Sequence, residues 1–192
     1  MKKQISLGVL ALTISLAACG GSGDTSTSNS VVEATDGSTF NEADVMFAQM
    51  MIPHHEQAIE MSDIALDPSV GASGAIKDLA TRIRAAQDPE IATMKGYLEA
   101  WKQPMSPEDG MDHGSMMEGM LSVEELDQLA TLRGTEFDLA WARAMIAHHE
   151  GAVKMAQDVL ASGKHPEVNA LASAIIESQQ AEIEDLKTIV GS

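Results

Sequence analysis

Cysteine, aromatic residues and basic residues are all scarce in this chain of 192 residues. Its single cysteine excludes an intramolecular disulfide and a cysteine-rich zinc or iron–sulfur site. Aromatic residues make up only 3% of the chain, too few for a surface on which nucleic-acid bases stack. There are 12 Lys and Arg against 29 Asp and Glu, a net charge of −17. This charge argues against nucleic acid as a partner, because phosphate binding needs an excess of basic side chains.

The residues that are abundant favour helices. Apolar residues make up 44% of the chain, too many for a wholly disordered acidic protein. Alanine and the 13 methionines supply much of this apolar content, and both residue types favour helices. No segment shows the sustained alternation of a strand. We therefore expect an all-α protein.

Residues 1–18 are typical of a signal peptide. Lys2 and Lys3 precede an apolar run over residues 5–18 that is too short for a transmembrane helix. The run ends in Leu-Ala-Ala-Cys, so Cys19 lies where lipidation attaches a bacterial lipoprotein to its membrane. An ordinary secretory signal with an incidental cysteine is the alternative. Either interpretation predicts an extracytoplasmic protein, and lipidation adds a membrane anchor.

The remainder divides into a linker and a helical domain. Residues 19–39, the lipidated cysteine and a Gly-, Ser- and Thr-rich stretch, are expected to form a flexible tether. Thr39 and Glu42 match a capping box, which predicts a first helix over residues 41–66. A second helix is expected over 74–102, kinked or split at Pro89. The other expected helices are a short one over 122–133 and long ones over 135–161 and 165–190.

The chain contains an internal repeat. Residues 44–66 and 138–160 are identical at 10 of 23 positions, and the helices that follow them also match. The domain over 40–192 therefore consists of repeat one (40–102), a Met-rich loop (103–121) and repeat two (122–192). Each repeat is a helical hairpin that cannot bury its apolar face alone. We expect the two hairpins to pack as a four-helix bundle.

Each repeat carries a Met-Ile-x-His-His sequence whose histidines fall on the apolar side of the helix. Met51 and His55 are one turn apart, and Met145 and His149 repeat that spacing. Thioether and imidazole together suit Cu(I) or Ag(I) and tolerate Cu(II). The candidate ligands in these motifs are Met51, His54, His55, Met145, His148 and His149.

A structural role for these side chains stays open. Methionines at helical spacing are commonly core residues, and buried histidines are commonly hydrogen-bonded. Two pairs of side chains from the neighbouring helices are candidate partners or ligands of the histidines: Glu90 and Glu182, and Gln87 and Gln179. Asp44 and Asp138 lie on the same helix faces as the histidines but further along the axis, where they would support the site or bond the helix ends.

The Met-rich loop gives a second signal for a soft metal. Its glycines and prolines disfavour a packed helix, so its methionines need another explanation. A soft-metal loop and a hydrophobic cover over the end of the bundle are the two interpretations. The candidate ligands in the loop are Met111, His113, Met116 and Met117.

The two repeat segments, each followed by Gln-x-x-Glu-Ile (87–91 and 179–183), resemble the DUF305 family, to which copper-binding proteins of the CopM type belong. The resemblance covers residues 40–192. It implies a ferritin-like four-helix bundle outside the cytoplasm and, for some members, binding of copper or silver through Met and His. It adds Met61 and Met155 to the candidate ligands. Pro53, where the second motif has Ala147, puts the equivalence of the two halves in doubt.

These observations predict a lipid-anchored, extracytoplasmic protein that captures or buffers copper, with silver as a second ion and iron less favoured. Metal ions and the membrane are its expected partners, and it is not expected to be an enzyme. A ferritin-like metal-dependent oxidase is one alternative, although the chain lacks the Glu-x-x-His motifs of typical di-iron bundles. A structural or interaction module without metal is the other.

Overall fold

The computed structural model describes residues 30–33, 37, 39–107 and 117–191. Within these ranges the chain forms five helices: α1 (Glu42–Leu66), α2 (Gly74–Trp101), α3 (Val123–Thr131), α4 (Gly134–Ser162) and α5 (Pro166–Val190). Two short strands, β1 (Val32–Glu33) and β2 (Thr39–Phe40), pair antiparallel just before α1. The expected all-α fold is confirmed. In the described part of the chain no helix combines the length and apolar character needed to cross a membrane.

The four long helices form a bundle of two hairpins. Helix α1 packs along α2, α4 packs along α5, and the two hairpins meet where α1 packs against α4. The short helix α3 precedes α4 and contacts it. This is the arrangement that the internal repeat predicted, because each hairpin covers the apolar face of the other.

The interior contains two separate apolar clusters. The first core cluster includes Phe47, Met51, Met94, Trp101, Ala152 and Ile175. The second core cluster includes Met61, Ile76, Ile83, Phe137, Trp141 and Met145. Helix α1 enters the first cluster with Met51 and the second with Met61. Helix α4 enters them in the opposite order, so the two helices run antiparallel and their His-His pairs meet between the clusters.

The first helix is capped differently from the expectation. Asn41, not Thr39, is the N-cap: its side chain accepts from the Asp44 backbone N–H at 3.2 Å, and Asp44 accepts from the Asn41 backbone N–H at 2.9 Å. The predicted capping box of Thr39 and Glu42 was wrong because Thr39 lies in β2, paired with Glu33. Ser122 is the N-cap of α3 and His165 is the N-cap of α5, each accepting a backbone N–H with its side chain.

Pro89 does not split α2, which is continuous from Gly74 to Trp101. Proline removes one backbone hydrogen bond from a helix interior. Pro89 is exposed, while Ile83 and Ile91 on either side of it are buried in the second and first core clusters. Apolar contacts on both sides of the proline therefore hold the two parts of α2 in one helix.

Candidate metal centre

Polar side chains separate the two core clusters. This polar layer, at the middle of the bundle, consists of His54 and His55 on α1, Gln87 and Glu90 on α2, His148 and His149 on α4, and Gln179 and Glu182 on α5. All four histidines have 0% of their surface exposed. They face inward, as the helical wheel predicted, and the antiparallel crossing of α1 and α4 brings the two pairs together.

His54 and His148 form the inner pair of the layer. Their ring centroids are 3.8 Å apart and the ring planes are tilted by 41°. Burial, followed by the proximity of His55, lowers the pKa of His54 from 6.5 to about 3. Burial and then the proximity of His54 lower the pKa of His148 well below 6.5. Both rings are therefore neutral at neutral pH, and each carries one nitrogen with a free lone pair.

His55 and His149 form the outer pair, and each binds a carboxylate within its own hairpin. His55 Nε2 lies 2.8 Å from Glu90 Oε2, and His149 Nε2 lies 2.8 Å from Glu182 Oε2. An ionised carboxylate only accepts, so Nε2 carries the proton in each ring and donates it. In the neutral ring Nδ1 is then the nitrogen with the lone pair. The sequence left open whether Glu90 and Glu182 are hydrogen-bond partners of the histidines or metal ligands. In the structure both are hydrogen-bond partners.

Several polar atoms of the layer are buried without a hydrogen-bond partner among the described residues. They include Nδ1 of all four histidines, Nε2 of His148, both amide atoms of Gln87 and Oε1 of Gln179. Each such atom costs on the order of 1–3 kcal/mol relative to a satisfied group. Buried unsatisfied groups in this number at one level of a bundle call for a functional explanation.

The potential metal ligands of the polar layer are two pairs of histidines, one pair from each hairpin. Within the described ranges, no group of three or more His, Cys, Asp or Glu side chains could hold a metal ion. The layer instead presents two imidazoles from each hairpin, with one ring of each pair fixed by a carboxylate.

The candidate methionines lie on both sides of the polar layer. Met51 is fully buried in the first core cluster, and Met61 and Met145 are fully buried in the second. Met51 and Met145 each precede a His-His pair by one turn, so they flank the layer from opposite ends. Met155 is half-buried at the edge of the first cluster, on the surface between α1 and α4.

Of the loop candidates, Met111, His113 and Met116 lie outside the described residues, and their metal binding stays a prediction. Met117 is buried. Residues 117–121, which we call the crossing segment, run past the middle of the bundle. There the carbonyl oxygen of Glu118 lies 3.4 Å from His54 Nε2, which donates to it when it carries the ring proton. A cover over the bundle end was one interpretation of this loop, but its described end covers the polar layer.

Two residues that the sequence did not single out hold the crossing segment. The Gln57 side-chain amide bonds both backbone groups of Leu121, donating to its carbonyl and accepting from its N–H, each at 2.8 Å. Gly151 lies against the Glu118 carbonyl, with no room for a Cβ. Positions 57 and 151 are equivalent in the two repeats, yet one holds Gln and the other Gly. This difference was the sequence signal that could have identified both residues.

Asp44 and Asp138 bond helix ends and do not bond the histidine rings of the polar layer. Asp44 accepts from the backbone N–H groups of Lys164 at 2.9 Å and His165 at 3.2 Å. Asp138 accepts from the backbone N–H of Ser73 at 3.1 Å. Each aspartate therefore holds the turn of the other hairpin, and the helix-end role left open by the sequence is the one observed.

A model of the DUF305 family, a domain of unknown function, matches residues 44–190. The chain therefore belongs to the DUF305 family. A DUF305 protein of Streptomyces coelicolor that is described as secreted is 31% identical, with 78% of this chain and 91% of that chain covered and a TM-score of 0.70. A DUF305 fragment of Deinococcus radiodurans is 32% identical, with coverage of 79% and 97% and a TM-score of 0.70.

Solved structures of CopM are also similar to this chain, in forms with Cu(II), Cu(I) or silver bound. The Cu(I)-bound form is 36% identical, with 76% of this chain and 93% of that chain covered and a TM-score of 0.61. No curated protein matches the chain.

Proposed function

We propose that the protein binds copper as its cargo in the polar layer, as Cu(I) for preference, with Ag(I) as an equivalent ion. The observation that carries this proposal is the duplicated His–Glu pair, in which Nδ1 of the histidine has no hydrogen-bond partner among the described residues. A histidine that ligates a metal commonly donates its other ring N–H to a carboxylate, which fixes the tautomer and makes the ligating nitrogen more basic. His55 with Glu90 and His149 with Glu182 both have this arrangement.

The protonation state of the inner pair supports the same proposal. Metal binding to histidine competes with protons, because only the neutral ring has a lone pair to give. The lowered pKa values of His54 and His148 keep these rings neutral at neutral pH. These rings therefore need not lose a proton before they bind an ion.

The choice of a soft monovalent ion follows from the donor set. Imidazole nitrogens in pairs, with thioethers one turn away at Met51 and Met145, are soft to borderline donors. Cu(I) and Ag(I) accept few ligands, so a pair of imidazoles suffices for either. The similarity to CopM, which has been solved with these ions, supports this choice.

We propose binding and release, not turnover. Both glutamates of the layer bind histidines, and the chain has no Glu-x-x-His motif of a di-iron oxidase. Oxygen consumption by the copper-loaded protein in the presence of a reductant is the measurement. We expect no sustained consumption above that of free copper, and steady turnover would contradict the proposal.

A Cu(I) competition titration under anaerobic conditions, with a chromophoric chelator, tests the binding itself. We expect the chain to compete for Cu(I) and the His148→Ala/His149→Ala variant to compete far less. Glu56→Gln is the matched control, since Glu56 is exposed and pairs with Lys95 on the surface. Circular dichroism shows whether each variant is folded. Equal competition by the folded histidine variant would overturn the proposal, and a melting temperature of the parent unaffected by metal and chelator would favour a structural module.

We further propose that the protein acts outside the cytoplasm and is attached to the membrane by a lipid on Cys19. The apolar run over residues 5–18 and the position of the only cysteine support this, although both lie outside the described residues. The secreted S. coelicolor relative supports the location. We expect Cys19→Ala to move the protein from the membrane to the soluble fraction, and mass spectrometry of the parent chain to find a lipidated Cys19. An unmodified Cys19 would contradict the anchor.

A further inference from the structure

A groove of about 230 Å³ lies on the surface where α1 packs against α4. Three of its lining residues are methionines. Met46 and Met50 come from α1 and Met155 from α4, and the walls between them include Phe47 and Val159. Met46 is 54% exposed, and Met50 and Met155 are half-buried. The groove therefore offers thioethers to solvent, which the fully buried Met51, Met61 and Met145 do not.

Packing does not account for Met46 and Met50, whereas Met155 packs against the first core cluster. An exposed methionine contributes little to a hydrophobic core, and Met46 leaves more than half of its surface in water. The repeat provides an internal comparison, because the residues equivalent to Met46 and Met50 are Ala140 and Ala144. The second repeat therefore folds with alanine at both positions. Methionine at positions 46 and 50 adds sulfur donors to the surface that the fold does not require.

The geometry brings the three thioethers to one groove. Met46 and Met50 are one turn apart on α1, so their side chains lie on the same face. Met155 approaches that face from the neighbouring helix. Thioether sulfur is a soft, uncharged donor that suits Cu(I) and Ag(I) and binds Mg²⁺ and Ca²⁺ poorly. The exposed carboxylate of Asp158, which pairs with Lys154, also lines the groove, and the net charge of −17 raises the local concentration of cations.

We propose that Met46, Met50 and Met155 form a surface site for Cu(I) or Ag(I), separate from the polar layer and built from thioethers alone. The site does not depend on the proposed histidine function. Thioethers do not titrate, so binding in the groove is expected to be unchanged between about pH 7 and about pH 5. The polar layer binds through histidine and the groove through methionine, so separate variants remove the two sites.

The test is an NMR titration of the full chain, carrying ¹³C in the methionine methyl groups, with Ag(I), which is not oxidised in air. We expect the methyl signals of Met46, Met50 and Met155 to shift together, to the same extent at about pH 7 and about pH 5. We also expect the shifts to persist in the His148→Ala/His149→Ala variant. Methyl shifts that persist in this variant would show that the groove binds Ag(I) independently of the polar layer.

Leucine substitutions supply the matched variants, since Met→Leu keeps the volume of the side chain. The Met46→Leu/Met50→Leu/Met155→Leu variant is expected to bind one Ag(I) fewer per chain by calorimetry. Met94→Leu, which changes a fully buried methionine of α2, is expected to bind as many as the parent. Unmoved signals of the three methionines, or an unchanged number of bound Ag(I) in the triple variant, would overturn the site. Shifts produced by an amphipathic helical peptide and not by Ag(I) would also overturn it, because Met-lined grooves can hold such helices.

Discussion

At the scale of single residues, the four histidines of the polar layer fall into two pairs because their neighbours differ. His54 and His148 contact each other, whereas His55 and His149 each donate to a glutamate at 2.8 Å. All four rings are fully buried, so the inner pair is distinguished by its ring contact and the outer pair by its carboxylates.

The inner pair makes the stability of the metal-free protein depend on pH. Their folded-state pKa values lie below the unfolded value of 6.5, so the unfolded chain takes up protons first. The stability that they contribute is present above about pH 6.5 and is lost as the pH falls towards the folded pKa, about 3 for His54. Each histidine lowers the free energy of unfolding by roughly 1.4 kcal/mol per pH unit in this window.

Urea unfolding in the presence of chelator, between about pH 7 and about pH 5, measures this loss without titrating most carboxylates. The His54→Gln/His148→Gln variant serves as the control and should show a much flatter dependence on pH. A parent protein whose free energy of unfolding stays constant or rises on acidification would contradict the assignment.

For the outer pair we predict that Glu182→Gln weakens Cu(I) or Ag(I) binding by about 10–100-fold. The amide cannot orient His149 as an ionised carboxylate does, so Nδ1 loses basicity and a fixed direction. The measurement is the chelator competition, with Glu56→Gln as an exposed glutamate outside the layer. Equal affinities of the two variants would show that the carboxylate plays no part in binding.

The sequence predicted the polar layer better than it predicted what covers it. Helical periodicity alone placed all four histidines inward, because that property depends only on residues along one helix. The contacts of Gln57 and Gly151 with the crossing segment join residues 33 to 64 positions apart in sequence. No local pattern specifies such contacts, and they follow only once α1 and α4 have packed.

At the scale of elements, local signals compete and packing decides between them. Two overlapping capping patterns occur around Asn41, and pairing of Thr39 in β2 leaves Asn41 as the N-cap. A proline signal for a break in α2 was overridden by apolar residues on both sides. The limits of α4 and α5, in contrast, came within one residue of expectation, since glycine and proline mark their ends without competition.

The contact between α4 and the crossing segment gives a prediction for a pair of glycines inside helices. Gly151→Ala places a Cβ against the Glu118 carbonyl, so the segment must move and we expect a loss of more than about 1 kcal/mol. Gly96→Ala in α2 meets nothing within 4 Å and should instead stabilise by about 0.5–1 kcal/mol. Chemical denaturation of both variants measures the difference. A Gly151→Ala protein as stable as Gly96→Ala would mean that the segment does not rest on α4.

At the scale of the whole molecule, the polar layer interrupts what would otherwise be one continuous core. The apolar clusters on its two sides stabilise the bundle, while the unsatisfied nitrogens between them oppose that stability. An ion that uses the free lone pairs offsets this cost. Binding and folding stability should therefore be linked.

We predict that Ag(I) at about 100 times its dissociation constant stabilises the folded chain by about 2.7 kcal/mol. For a chain of this size that corresponds to a rise of about 5–10 °C in melting temperature. Calorimetric melting with and without Ag(I) gives the value. The His148→Ala/His149→Ala variant should lose the part of the rise that comes from the polar layer. A rise in melting temperature of the same size in that variant would show that Ag(I) binding in the polar layer does not stabilise the fold.

The reciprocal contacts of Asp44 and Asp138 show the symmetry of the bundle. Asp44 in the first hairpin closes the turn of the second, and Asp138 in the second closes the turn of the first. This reciprocity is the signature of an isologous interface, in which one surface patch meets its own copy across a twofold axis. The chain thus has the geometry of a homodimer whose two subunits are joined in one polypeptide. In a true homodimer one mutation would alter both halves of the site at once, whereas here each histidine of the polar layer can be changed alone.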